Sequence, residues 1–187
     1  MCIRDSPPFM GRSLPKPFGA TKKSKKEWAA RVETSMINIF YNLTRYLSDS
    51  SPEDAKKRLL VKFLEKDCEK CDRLVELLLQ YDQKARKAEY KFYRSDAEDR
   101  LLDSDEVELA ALDAKLRGGG DLFHRLGAIC AFCCVGSRKC HEHILDQLTL
   151  QNGGIGVVKA AIEEFVSVLD DGDQKKQLEE YLSLIHI

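Results

Sequence analysis

Apolar residues recur at three- and four-residue steps along most of this chain, and the stripes they draw are helical. Trp28, Val32, Met36, Ile39, Phe40, Leu43 and Leu47 form the first stripe and predict a long amphipathic helix. Ser24 and Glu27 ahead of it fit a capping box, in which each side chain satisfies a free amide near the other. Ser51-Pro52-Glu53-Asp54 reads as a second helix start, with a cap, a first-turn proline and acids facing the dipole. Leu59, Leu60, Phe63 and Leu64 are its expected inward side. A third stripe runs through Cys71, Leu74, Val75, Leu78, Tyr81, Ala85, Ala88 and Phe92. Val107, Ala110, Ala111, Ala114 and Leu116 make a weaker fourth, which Gly118-Gly119-Gly120 is expected to end.

The second half is more apolar. Leu122 to Val135 is hydrophobic nearly all round, which predicts a helix covered on most sides. Ser137 is the expected cap of the next helix, with Ile144, Leu145 and Leu148 inward. Asn152-Gly153-Gly154 should close it, since glycine readily takes the left-handed turn that ends helices. Val158, Ala161, Ile162, Phe165, Val166 and Leu169 follow. Asp170 to Asp173 is a turn, and Leu178 and Tyr181 face inward on a last helix. No short alternating run sits between turn signals, so no strand is predicted. The expected fold is all-α, with about eight helices. Their recurring pairs and triplets suit an α-solenoid whose repeats have diverged.

Two stretches stand outside this pattern. Residues 7–23 hold Pro7, Pro8, Pro15, Pro17, Gly11 and Gly19 and read as an extended, lysine-ended segment before the helices of 24–181. Residues 95–104 are acid-rich and weakly patterned, a loop or loose helix. The end hexapeptides Met1–Ser6 and Leu182–Ile187 resemble translated sequencing-adapter read-through and are set apart from functional reasoning. On that reading the chain is a fragment.

Composition narrows the function classes without choosing one. The 30 basic and 31 acidic residues leave a net charge of -1, without the basic excess usual in a chain that coats nucleic acid. No direct nucleic-acid binding is therefore expected. The longest nearly uncharged apolar stretch, Leu126 to Gly136, is well short of the roughly 20 residues a membrane span needs. Seven cysteines without a secretory signal point to free thiols in a reducing compartment.

Candidate chemistry is sparse. Cys68-Glu69-Lys70-Cys71 has the spacing of a zinc or redox pair, but zinc needs four converging ligands. Cys130, Cys133, Cys134, Cys140, His141 and His143 match no second zinc half-site. Cys130, Cys133 and Cys134 lie on the most hydrophobic helix, where a thiol behaves as a small apolar group. The favoured reading is core cysteines plus some on exposed helix faces; a metal or thiol-redox module is the alternative. His141 and His143 are two apart, so a helix points them to different sides. His124 belongs at a helix surface or interface. Gly153-Gly154-Ile155-Gly156 lacks the pattern and the preceding strand of a phosphate or dinucleotide loop. The acids from Asp96 to Glu108 read as a solvated linker. Asn38, Asn42 and Arg45 lie opposite the first apolar stripe and could line a peptide groove. No catalytic, cofactor-binding or metal residue is assigned, and no cofactor is expected.

Three stretches carry a resemblance. Pro8-Phe9-Met10-Gly11-Arg12-Ser13-Leu14-Pro15-Lys16 resembles a segment of the β-catenin-like protein 1 family. So does Arg58-Leu59-Leu60-Val61-Lys62-Phe63-Leu64-Glu65-Lys66-Asp67, continuing as Glu69-Lys70 and Asp72-Arg73-Leu74-Val75-Glu76-Leu77. Leu112-Asp113-Ala114 is similar a third time, in the same order. The resemblance implies an armadillo-type α-solenoid, here its carboxyl-terminal repeats over 24–181, with a larger amino-terminal part missing. It also implies a nuclear, non-enzymatic scaffold that associates with the spliceosome and binds splicing factors through their basic segments. The Trp-x-x-x-Asn ladder by which importin-type grooves hold such segments is absent, since Val32 follows Trp28 by four. No binding residue is carried over. A stack that lacks its first neighbours should expose apolar surface near the N-terminal helices.

Overall fold

The computed structural model describes residues 22–49, 53–95, 104–170 and 172–185. These residues form seven α-helices and no strand: α1 (Lys22–Asp49), α2 (Glu53–Ser95), α3 (Ser104–Lys115), α4 (Asp121–Gly136), α5 (Arg138–Leu150), α6 (Ile155–Val168) and α7 (Asp173–Leu184). A five-residue π-helical segment, Leu116–Gly120, joins α3 to α4.

The layout follows from how apolar each helix is. α4 buries every residue from Leu126 to Cys134 and sits in the middle, touching α1, α2, α5, α6 and α7. α2, α4 and α6 lie side by side as a row of alternate helices, the stacking of an armadillo-type α-solenoid. α5 packs on α2 and α4, α7 on α4 and α6, and α3 with the π segment lies along α2. Phe63, Phe123, Phe132, Leu74, Leu126 and Ile129 are among the largest fully buried side chains. Each contributes roughly 1.5–3 kcal/mol by leaving water.

Close helix contact needs small residues at two crossings. A Cβ on Gly127 of α4 would stand 2.5 Å from the Ala161 Cβ of α6. One on Gly118 would stand 2.2 Å from the Ala88 Cβ of α2. Neither separation fits two carbon atoms, so both glycines set the helix spacing.

Several sequence expectations are corrected. α1 begins at Lys22, so Ser24 lies inside the first turn instead of capping it, and the extended segment loses Lys22 and Lys23. The glycine triplet interrupts the helical path as expected, though after a π-helical turn: Gly119, at φ 123, leaves helical geometry and re-aims the chain from the end of α3 into α4. Asn152, at φ 57, takes the left-handed turn after α5, while the Gly153 amide donates to the Leu148 carbonyl at 2.7 Å. The second and third stripes remain two helical segments, parted by the non-helical residues Glu65–Cys68, and run under the single label α2. That leaves seven helices among the described residues where about eight were expected.

The largest correction is to α1. Its buried residues are Ile37, Tyr41 and Thr44, whereas Ile39 and Leu43 of the expected stripe are 51% and 42% exposed. The helix is apolar over a wide arc, and α4 covers the side centred on Ile37 and Tyr41.

The Ser51-Pro52 start, the acidic stretch 96–103, residues 7–21 and the hexapeptide 1–6 lie outside the described residues. The capping role of Ser137 is present: its hydroxyl accepts from the Cys140 amide at 3.4 Å. At the other end, Leu182 packs on the core and Ile185 is buried.

Candidate functional site

The break in α2 gathers most of the candidate chemistry. Lys66, Asp67 and Cys68 all take positive φ, at 52°, 52° and 65°. Each such residue costs on the order of 1–2 kcal/mol without glycine. The surroundings hold the break from both sides. The Glu65 carboxylate accepts from Lys62 at 2.7 Å and from Lys70 at 3.1 Å, and these two bonds lower its pKa. Phe63, Cys68 and Cys71 are buried beneath it.

The break carries Cys68 and Cys71 inward toward Cys133 of α4 and Cys140 of α5. Cys71 Sγ lies 3.7 Å from the Phe63 carbonyl as a donor and also shares a hydrogen bond with Cys140. That shared bond and burial push the Cys71 thiol far up. Burial, helped by the neighbouring thiols, raises Cys130 and Cys133 and pushes Cys134 up to about 12. Cys140 goes the other way, down to about 7, through the hydrogen bonds from Cys71 and Ser137 and the charges of His143 and Lys139. It sits in the first turn of α5, where the helix dipole favours a thiolate. Its exposure is nevertheless 0%, which closes it to a bulky electrophile.

All six cysteines among the described residues are free and buried, so none occupies an exposed helix face as expected. Among the described residues no three His, Cys, Asp or Glu side chains converge as a metal set. His143 Nε2 instead meets Asp72 at 2.6 Å, tying α5 to α2, and His141 lines a groove elsewhere. That groove, about 530 Å³, lies between α5, the end of α4 and Leu184. Its floor is apolar, and Arg138 and Glu142 at its edge pair with each other at 2.8 Å.

His124 is an interface residue. It is buried between α4 and α6, stacks on Phe165 at 5.3 Å, and reaches Glu164 at 3.4 Å. Lys115 meets the same carboxylate at 2.9 Å. The His124 hydrogen bond and then Lys115 hold Glu164 down at about 2, against its burial. On α1, Glu33 accepts from Tyr81 at 2.9 Å and from Arg73 at 3.0 Å, which fastens α1 to α2. Burial and the Glu33 charge raise the Tyr81 pKa.

The peptide-groove residues divide. Asn38 turns inward and accepts from Arg125 of α4. Asn42 and Arg45 are exposed. Beside them, Ile39, Leu43 and Tyr46 are 51%, 42% and 69% exposed at i, i+4 and i+7, one apolar face of α1 turned outward. Exposed apolar surface near the N-terminal helices was expected. Its membership differs from the expectation, because Ile39 and Leu43 belong to the stripe expected to turn inward. The signal was present as a second, overlapping run, Ile37, Tyr41 and Thr44. Asp105, Glu106 and Glu108 are exposed on α3 and form no pocket.

A search of curated proteins finds no match to this chain. A family model described as catenin-beta-like, Arm-motif containing nuclear matches residues 9–163. The match takes in α1 through most of α6, the break in α2 and the glycine joint before α4. This chain belongs to the catenin-beta-like family of Arm-motif nuclear proteins.

Proposed function

We propose that this chain is a non-enzymatic interaction scaffold that supports pre-mRNA splicing in the nucleus by binding splicing factors. The observation that carries the reading is the outward face of Ile39, Leu43 and Tyr46 on a helix packed against α4 and tied to α2. Apolar anchors at i, i+4 and i+7 are how one helix face engages a partner segment or domain. The pairings of Glu33 and Asn38 fix how α1 is presented. The partner class, splicing factors with basic segments, is what the family resemblance implies.

The test compares the tagged chain with an Ile39→Asp/Leu43→Asp variant in nuclear extract treated with nuclease. Spliceosomal proteins should be retained by the original chain and lost by the variant, with the two melting alike. Equal retention by both, or no spliceosomal protein on either, overturns the proposal.

A further inference from the structure

The near-zero net charge hides a segregated face. α2 continues for about seven turns beyond its break, and about its last four turns bury Tyr81 and Ala85. The opposite side carries Arg86, Lys87, Tyr90, Lys91, Tyr93 and Arg94, all exposed. At about 100° per residue these six fall within an arc of roughly 160°. No acid lies inside that arc. Asp82 and Glu89 both lie just outside its Tyr93 edge, where Asp82 pairs with Arg86 at 2.7 Å and Glu89 faces Lys115 at 3.9 Å. Lys87, Lys91 and Arg94 make no ion pair among the described residues.

Cations alone would suit any acidic partner, and basic residues at a helix C-terminus also favour the dipole. The tyrosines narrow the choice. Tyr90 and Tyr93 are 66% and 47% exposed, set among the cations, with Tyr93 braced edge-on by Phe92 at 5.6 Å. Open aromatic rings between backbone-binding cations are the apparatus that holds unpaired bases by stacking while neutralising phosphates. An acidic peptide has no use for the rings. A duplex hides its bases, and DNA in the nucleus is mostly duplex. We propose that this face of α2 binds single-stranded RNA without sequence preference. The surface is separate from the α1 face and goes beyond the scaffold reading.

The experiment is fluorescence anisotropy of a labelled 20-nucleotide oligouridine against the full chain, titrated in low to moderate salt. Binding should weaken as salt rises. Lys87→Ala/Lys91→Ala/Arg94→Ala should lose at least tenfold in affinity and lower the log–log salt slope by about 2, at about 0.7 per phosphate contact. Tyr90→Ala/Tyr93→Ala should lose at least about tenfold while keeping the slope. Unchanged circular dichroism shows that both variants fold, which their surface positions favour. No binding at low salt overturns the proposal. So does a loss caused only by neutralising Lys22, Lys23, Lys25 and Lys26. Oligoglutamate that competes as well as RNA, with the tyrosine variant unaffected, reassigns the face to an acidic protein partner. Binding that appears only after Asp96, Glu98, Asp99 and Asp103 are made neutral assigns it to the chain's own acidic stretch. A duplex of the same length should bind more weakly than the single strand, and the reverse result sinks the stacking argument.

Discussion

α4 and α1 are both rich in apolar residues, yet they meet opposite fates. α4 is covered from Leu126 to Cys134 by helices on every side. α1 buries Ile37, Tyr41 and Thr44 and leaves Ile39, Leu43 and Tyr46 in solvent. α4 is the more apolar of the two and takes the centre; on α1, position in the stack decides which apolar residues are covered. A helix in the middle of the row has neighbours for its whole circumference. A flanking helix has them for one side, and whatever else is apolar on it becomes surface.

The sharpest contrast should come from truncating α4. Phe132 is 1% exposed, and Phe132→Ala removes its transfer energy and leaves a cavity that the packed row cannot fill. A loss of about 3–5 kcal/mol is expected in urea unfolding. A loss below about 1 kcal/mol would mean that α4 is not the hub.

An intermediate effect should appear at acid pH. Glu164, held at about 2 by His124 and Lys115, links α6 to α4 and α3. Its pKa is lower folded than unfolded, so its contribution is present above about 4.5 and fades as pH falls from there toward 2. Glu164→Gln should therefore lose stability near pH 7 and show a flatter fall between pH 4.5 and 2 than the original chain. Parallel acid curves for the two proteins would show that the link carries nothing.

The smallest effect should be Leu43→Ala on α1. Leu43 is 42% exposed, so truncation should change unfolding free energy by less than about 1 kcal/mol. A cost approaching that of Phe132→Ala would show α1's outer face to be covered in solution and would erase the contrast between the helices.

Much of the fold was legible because helix periodicity is local. The inward residues of α5, α6 and α7 could be read from spacing: Ile144, Leu148, Val158, Ile162, Leu178 and Tyr181 are all buried. So could the Ser137 cap, which depends on its own oxygen and an amide three residues on. The all-round apolarity of Leu122 to Val135 announced a central helix. The candidate surfaces were less legible. On α1 two apolar runs overlap, and spacing alone could not say which one α4 would cover. On α2 the cations and tyrosines were visible as letters, but which of those cations pair depends on where Asp82 and Glu89 turn.

The amino-acid sequence determined the helices, most of their inward faces and the family, since each rests on local spacing or on matched stretches. Tertiary structure decided the rest. Three left-handed residues at Lys66–Cys68 follow no turn signal and persist because Lys62 and Lys70 hold Glu65 locally while the thiols beneath pack toward Cys133 and Cys140, far along the chain. Gly118 is a spacer as well as part of a helix break because Ala88, 30 positions earlier, packs against it. Which apolar face stays open, and which cations stay unpaired, are properties of neighbours, and neighbours in a stacked helical protein are set by packing across the row.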